Sequence, residues 1–176
     1  MSINEIDLRF VKEAVPQLQE YLLSNELYWP LSGSLPRLTP GSLLLTLARL
    51  RVADSKVEFE VQKLETQVDA IRVRWRTAWE KKVTREAANR MRLWSQFLSD
   101  YLQAPDQNLE SYATEARGRA ILHLLLTELP DASEGSALAE LDGILRSHLT
   151  PGEFIWEPEL QPIFPKNEFW FLYGNL

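Results

Sequence analysis

The chain has 176 residues, of which 45% are hydrophobic, and its six Trp, seven Phe and five Tyr are enough to build a sizeable core. Its net charge of −6 excludes a protein whose whole surface attracts phosphate backbones or anionic membranes, so any basic site must be local. The absence of cysteine excludes disulfides, thiolate nucleophiles and Cys-ligated zinc, and it suits a reducing cytosol.

The first residues and the apolar runs of the chain predict where the protein lies in the cell. The first ten residues, MSINEIDLRF, lack the basic and apolar regions of a signal peptide. The longest uncharged run, residues 38–48, is far shorter than the roughly 18 apolar residues of a membrane span. We therefore predict a cytoplasmic protein that does not enter a membrane.

The N-terminal third predicts two helices joined by an irregular loop. Apolar residues near helical spacing predict a first helix up to about Glu26. Residues 27–40 contain three prolines and a glycine, which predicts a loop. Thr39 can cap a second helix whose first position is Pro40.

Residues 42–104 contain neither Gly nor Pro, so no strong helix breaker interrupts them. We predict a turn at Asp54 and then one long helix over about 55–102. Such a helix would be about 70 Å long at about 1.5 Å per residue. Alternating steps of four and three residues mark a heptad seam along its first half. The members of this seam are Val57, Val61, Leu64, Val68 and Ile71. After Trp75 the steps become fours, so the helix either overhangs the fold or bends near Trp75–Trp79.

The C-terminal part predicts two further helices and a strap. One helix ends before Pro130, and the last opens at Ser133 and ends before Pro151. Residues 150–176 contain four prolines and seven aromatic residues, which is too aromatic for a disordered tail. The predicted fold is therefore all-α: a single domain over 1–176, an irregular bundle of about five helices built on the long helix, with an extended aromatic strap.

Motifs for catalysis and cofactors are missing from the sequence. The seven glycines are scattered, so neither a P-loop nor a dinucleotide-binding fingerprint can form. Neither His123 nor His148 follows a Glu at the spacing of a di-iron site, and we interpret both as structural. A carboxylate-only Mg²⁺ site stays open in principle, but no acidic cluster singles one out. We predict no catalytic residue, no cofactor and no metal.

Residues 72–92 carry eight bases and two acids, a local net charge of +6, so the other residues sum to −12. On a helix, four of these bases lie within about 40° of one another, opposite the apolar face. This predicted basic stripe consists of Arg74, Lys81, Arg85 and Arg92. Three further bases fall on the apolar arc and should pair with carboxylates: these bases are Arg72, Arg76 and Arg90. The candidate partners are Asp69 and Glu65 locally, or acids of the first helix and of the tail. The alternative to an anion-binding face is an amphipathic helix whose bases are balanced by acidic neighbours.

Three functions follow in order of preference. The first is a non-catalytic helical interaction or assembly module, binding another protein or itself as a homodimer through Val57, Val61, Leu64, Val68 and Ile71. The second is a nucleic-acid or anion binder that uses the basic face of residues 72–92. The third is an enzyme whose site is not recognisable by motif.

Overall fold

The computed structural model describes residues 3–129 and 134–176, and it confirms the all-α class. Its helices are α1 (Ile3–Leu23), α2 (Pro40–Leu50), α3 (Ser55–Arg74), α4 (Arg76–Gln103), α5 (Pro105–Asn108), α6 (Tyr112–Thr127) and α7 (Glu134–His148). The described residues thus hold seven helices rather than five, because the long helix is interrupted at Trp75 and the single turn α5 precedes α6. The predicted helix start at Ser133 lies outside the described residues.

The chain divides into two compact units, unit 1 (residues 1–86) and unit 2 (residues 87–176), and the division falls inside α4. In unit 1, α1 packs against α2 and α3. In unit 2, strands β1 (Thr150–Phe154) and β2 (Tyr173–Asn175) pair antiparallel. The single domain over 1–176 stays a prediction.

The N-terminus of α2 in unit 1 is fixed from two directions. Thr39 is the N-cap, as predicted, and it forms a capping box in which its side chain accepts from the N–H of Ser42 at 3.0 Å and its N–H donates to Oγ of Ser42 at 2.8 Å. Glu86 on α4 is fully buried, and its carboxylate accepts from Oγ1 of Thr39 at 2.8 Å and from the N–H of Gly41 at 2.7 Å. A buried negative charge at this end of a helix is stabilised by the unpaired N–H groups and the helix dipole.

The heptad seam of α3 faces the interior of unit 1. The helix begins at Ser55 after the predicted turn, with the side chain of Asp54 accepting from the N–H of Lys56 at 3.0 Å. The three central members of the seam are buried, whereas Val57 and Ile71 are partly exposed. The buried members are Val61, Leu64 and Val68. The chain itself therefore covers the part of the seam that the self-association hypothesis assigns to a second copy.

The predicted long helix is interrupted by one residue, Trp75, which has φ −112° and ψ 38°. A helical residue has ψ near −42°, so the backbone leaves the helical path at this point. The N–H of Trp75 donates to Ile71, and its carbonyl accepts from Trp79, both at 2.9 Å, so helical bonding resumes on the far side. The predicted single helix is therefore broken at Trp75, at the start of the stretch Trp75–Trp79 where the sequence allowed a bend.

The aromatic tail of unit 2 is a packed strap, and it folds back on itself. Phe164, Phe171 and Leu172 are fully buried. The hydroxyl of Tyr112 on α6 donates to the carbonyl of Phe171 at 2.5 Å, which ties the strap to the helix. At the pairing of β1 with β2, Gly174 has φ 153°, and an added Cβ would lie 2.3 Å from a backbone oxygen, so the closure requires glycine.

Replacing Glu86 by Ala should lower the free energy of unfolding by roughly 2–5 kcal/mol, because the buried donors of Thr39 and Gly41 lose their acceptor. Urea denaturation measures this loss. Glu86→Gln keeps one carbonyl oxygen and should lose less. Glu58→Ala, at an exposed position of α3, is the control and should change little. A Glu86→Ala protein as stable as the wild type would contradict this role.

Candidate anion-binding cleft

A cleft in unit 1 lies between the end of α1 and the interruption of the long helix. Its cavity volume is about 570 Å³, and its walls come from residues 22–25, 74–78, 81, 82 and 85. Five cations line it, and they are Arg74, Arg76, Lys81, Lys82 and Arg85. Its lining contains no carboxylate side chain among the residues that the structure describes. The cleft therefore concentrates positive charge in a concave space.

Lys82 joins two segments that form the cleft, α4 and the residues after α1. Its buried ammonium donates to the carbonyl of Ser24 at 2.9 Å, to Oγ of Ser24 at 3.3 Å and to the carbonyl of Glu26, and it lies 4.5 Å from the ring centroid of Tyr21. Burial lowers the pKa of Lys82, and the neighbouring charge of Arg85 lowers it further, while Glu26 opposes the shift. Since three acceptors take up its three donors, Lys82 holds the end of α1 against α4.

Arg85 is exposed and donates one Nη1 hydrogen bond, of 3.0 Å, to the carbonyl of Asn25. Among the described residues, the other four N–H donors of Arg85 have no protein acceptor, which leaves them for a ligand. Lys81 is exposed as well. Within the described part of unit 1, residues 3–86, no carboxylate lies within the 4.0 Å salt-bridge distance of Arg74, Lys81 or Arg85. Within those residues the three exposed cations are not neutralised by an ion pair, so an anion that enters the cleft meets no competing carboxylate on them.

The remaining cations of the cleft flank the interruption at Trp75. The guanidinium of Arg74 lies 5.6 Å from the ring centroid of Trp75. Arg76 pairs with Glu80 at 2.9 Å, one turn along α4, and this pair is exposed to solvent, so the bond is weak enough to exchange for a ligand. The first turn of α4, which is described throughout, carries no acidic side chain against its positive end.

The structure brings three of the four residues of the predicted basic stripe into one cleft. These are Arg74, Lys81 and Arg85, whereas Arg92 belongs to unit 2, where its Nη2 donates to Oδ1 of Asn89 at 3.1 Å. The sequence reading missed Lys82 and Arg76 as members of the site. Arg76 pairs with a carboxylate, as predicted, but its partner is Glu80 rather than one of the candidates named from the sequence.

The other local pairing prediction holds. Arg72 contacts Asp69 at 3.1 Å, and its guanidinium also lies 4.8 Å from the ring centroid of Trp79. Trp79 is buried in unit 1 and Trp94 in unit 2, so both tryptophans are core residues. Trp75 is half-buried and lines the cleft.

Unit 2 contains a separate cluster of charged groups around α6. Arg119 is buried, and it binds Asp142 of α7 through Nε at 3.1 Å and Nη2 at 2.9 Å. Its guanidinium lies 4.3 Å from the ring centroid of Phe171 in the strap. One turn along α6, the ring of His123 lies 4.6 Å from that of Phe169, and its Nε2 lies 3.8 Å from a carboxylate oxygen of Glu168. This is the structural role that the sequence indicated for His123.

The remaining chemistry of the molecule adds no second site of a familiar kind. Over residues 3–129 and 134–176, no group of three or more His, Asp or Glu side chains is arranged to hold a metal ion. None of the helices in this described part combines the length and apolarity needed to cross a lipid bilayer. A comparison of the chain with protein-family models, curated proteins and solved structures finds no match. The function of the cleft must therefore be argued from its own chemistry.

The acid side of the stability profile should depend on His123. Burial lowers the pKa of His123, and Arg119 lowers it further, while Glu168 and Asp142 oppose the shift. Above the ordinary histidine pKa of about 6.5 the imidazole is neutral in both states and makes no difference to stability. Below that pH the unfolded chain takes up the proton first, so the free energy of unfolding should fall until the pH passes the lowered pKa of the folded state.

Urea denaturation at about pH 7.5 and about pH 5 measures this decline. The decline should be smaller in His123→Gln than in the wild type. Thermal unfolding by circular dichroism at about pH 7.5 verifies that His123→Gln is folded. Equal declines in His123→Gln and the wild type would contradict the assignment.

Proposed function

We propose that the protein is a non-catalytic binding module that takes up an anionic ligand in the cleft of unit 1. The observation that carries the proposal is a cavity of about 570 Å³ lined by five cations, of which Arg74, Lys81 and Arg85 have no carboxylate within 4.0 Å in the described part of unit 1. Like charges gathered in a concave space raise one another's energy, and an anion relieves this repulsion. We include a cytoplasmic location in the proposal, since a chain without cysteine suits a reducing compartment.

The arrangement favours a local anion over an extended nucleic acid. Arg74, Lys81 and Arg85 share one helical face, and together with Arg76 and Lys82 they line one cavity. Unit 2, which contains Arg92, has 13 acids and six bases, a net charge of −7, whereas unit 1 has 12 acids and 13 bases, a net charge of +1. A long polyanion gains from contacts spread over several phosphates, and a surface with this balance in one half opposes that spread.

Binding rather than catalysis is the function that these side chains favour. Among the described residues, the cleft lining has no carboxylate and no imidazole to serve as a general base. Lys82, whose pKa is lowered by burial, has its three donors bound to Ser24 and Glu26. It is therefore held as a structural cation rather than poised as a nucleophile.

Assembly is a second candidate function, and one observation favours it. Phe59 and Val73 on α3 are 81% and 79% exposed. They lie two heptads apart, and with Thr66 and Ala70 they fall within about 60° of one another around the helix. A two-fold axis at Thr66 would place Phe59 of one copy opposite Val73 of the other in an antiparallel contact. This face differs from the predicted seam, whose centre is buried in unit 1.

The cleft proposal predicts a loss of anion binding on charge reversal. Arg85→Glu and Lys81→Glu should each weaken the binding of inorganic pyrophosphate by roughly tenfold or more, because each replaces a ligand-facing cation by a repelling carboxylate. Isothermal titration calorimetry at low salt measures the affinity, and binding should weaken as salt rises.

Lys63→Glu is the matched control, since Lys63 is an exposed base on α3 outside the cleft, and it should bind as the wild type does. Arg92→Glu separates the cleft from the stripe: a cleft predicts wild-type affinity, and a nucleic-acid stripe predicts a loss for a single-stranded oligonucleotide. If neither pyrophosphate nor the oligonucleotide binds at low salt, the proposal is wrong.

The assembly candidate predicts a dimer that depends on the exposed face of α3. Light scattering at tens of micromolar should give a dimer for the wild type and a monomer for the double variant Phe59→Glu, Val73→Glu, because both changes place charge in the contact. Gln67→Glu, exposed on the same helix but about 100° away from Thr66, should leave the dimer intact. A monomeric wild type would exclude this assembly.

A further inference from the structure

We infer that the ligand of the cleft is a phosphate monoester carrying a compact apolar or aromatic group. This inference rests on the proposed function, because it specifies the anion. It follows from the chemistry of the cations, from the apolar part of the lining and from the size of the cavity.

The cations of the cleft fit a phosphate group. Three of the five are arginines, namely Arg74, Arg76 and Arg85. The planar guanidinium matches two phosphate oxygens at once, which a lysine ammonium cannot do. A phosphate monoester carries close to two negative charges at neutral pH, so it neutralises several cations in a small volume better than a single carboxylate does.

The lining also has an apolar part, made by Leu22, Leu23, Trp75 and Ala78. Leu23 is 55% exposed, although it lies at the wall of a cleft rather than on an isolated surface. A ligand consisting of phosphate alone would leave this apolar surface in water. A ligand with an apolar group removes part of it from water, which favours binding.

The size of the cavity excludes the extremes of ligand size. About 570 Å³ lies within the roughly 300–1,000 Å³ of sites for small organic ligands. Inorganic phosphate fills only a small part of this space. A double helix, by contrast, meets proteins across a groove and a phosphate backbone many ångströms long, and so it cannot enter such a cavity. A monoester of moderate size satisfies both limits.

The test compares three probes by calorimetry at low salt: 1-naphthyl phosphate, methyl phosphate and 1-naphthol. We expect 1-naphthyl phosphate to bind roughly tenfold or more tightly than methyl phosphate, because the aromatic group covers the apolar wall. The neutral 1-naphthol should not bind measurably. Leu23→Ser, at an exposed position that the fold tolerates, should reduce the preference for the naphthyl group, while Arg85→Glu should weaken both phosphates.

The outcomes separate this inference from the proposed function. Equal affinities for the two phosphates would overturn the inference and leave anion binding in the cleft intact. Tighter binding of a single-stranded oligonucleotide than of 1-naphthyl phosphate, with sensitivity to Arg92→Glu, would overturn it in favour of an extended nucleic acid. If pyrophosphate, the oligonucleotide and both phosphates all fail to bind, the proposed function itself is wrong. Thermal unfolding by circular dichroism verifies that each variant is folded, and Lys63→Glu controls for charge.

Discussion

The architecture of unit 1 depends on two buried charges that lie one turn apart on α4, Lys82 and Glu86. Burying a charge is costly unless hydrogen bonds replace its water, and each of these groups meets that condition with groups from distant segments. Lys82 takes carbonyl and hydroxyl acceptors just after α1, and Glu86 takes donors from the start of α2. One turn of α4 thereby fixes the end of α1 and the start of α2, which would otherwise expose unpaired backbone groups.

The cleft is a consequence of this arrangement. Lys82 holds the residues after α1 beside α4, and the cations of α3 and α4 line the cavity between these segments. The interruption at Trp75 contributes as well, since it lets Arg74 and Arg76 line a cavity instead of continuing one straight helix. The cations therefore have different roles. The donors of Lys82 are all bound within the fold, whereas Lys81 and Arg85 keep donors available for a ligand.

Unit 2 also buries a charge beside an irregular segment, but there the partner of the charge is a side chain of opposite sign. Its irregular segment is the strap, and the buried cation Arg119 contacts both Asp142 and the ring of Phe171. Here the acidic partner is a side chain, so the charge is neutralised inside the unit and offers nothing to an external anion. In the described part of unit 1, by contrast, Arg74, Lys81 and Arg85 have no carboxylate within 4.0 Å, although Arg76 pairs with Glu80. This contrast is the reason why we propose ligand binding in unit 1.

The sequence by itself determined the features that depend on residues close together in the chain: the cap at Thr39, the turn at Asp54, the helical class and the packed aromatic tail. These follow from i to i+4 periodicity, capping chemistry and composition, which act within one or two turns. It also found three of the five cleft cations, because they share one helical face. Only the tertiary structure decided that Lys82 belongs to the fold, since its acceptor Ser24 is 58 residues away and no local pattern encodes that meeting. The burial of Val61, Leu64 and Val68 within the chain was decided in the same way, because a heptad seam shows that a surface must be covered but not which helix covers it.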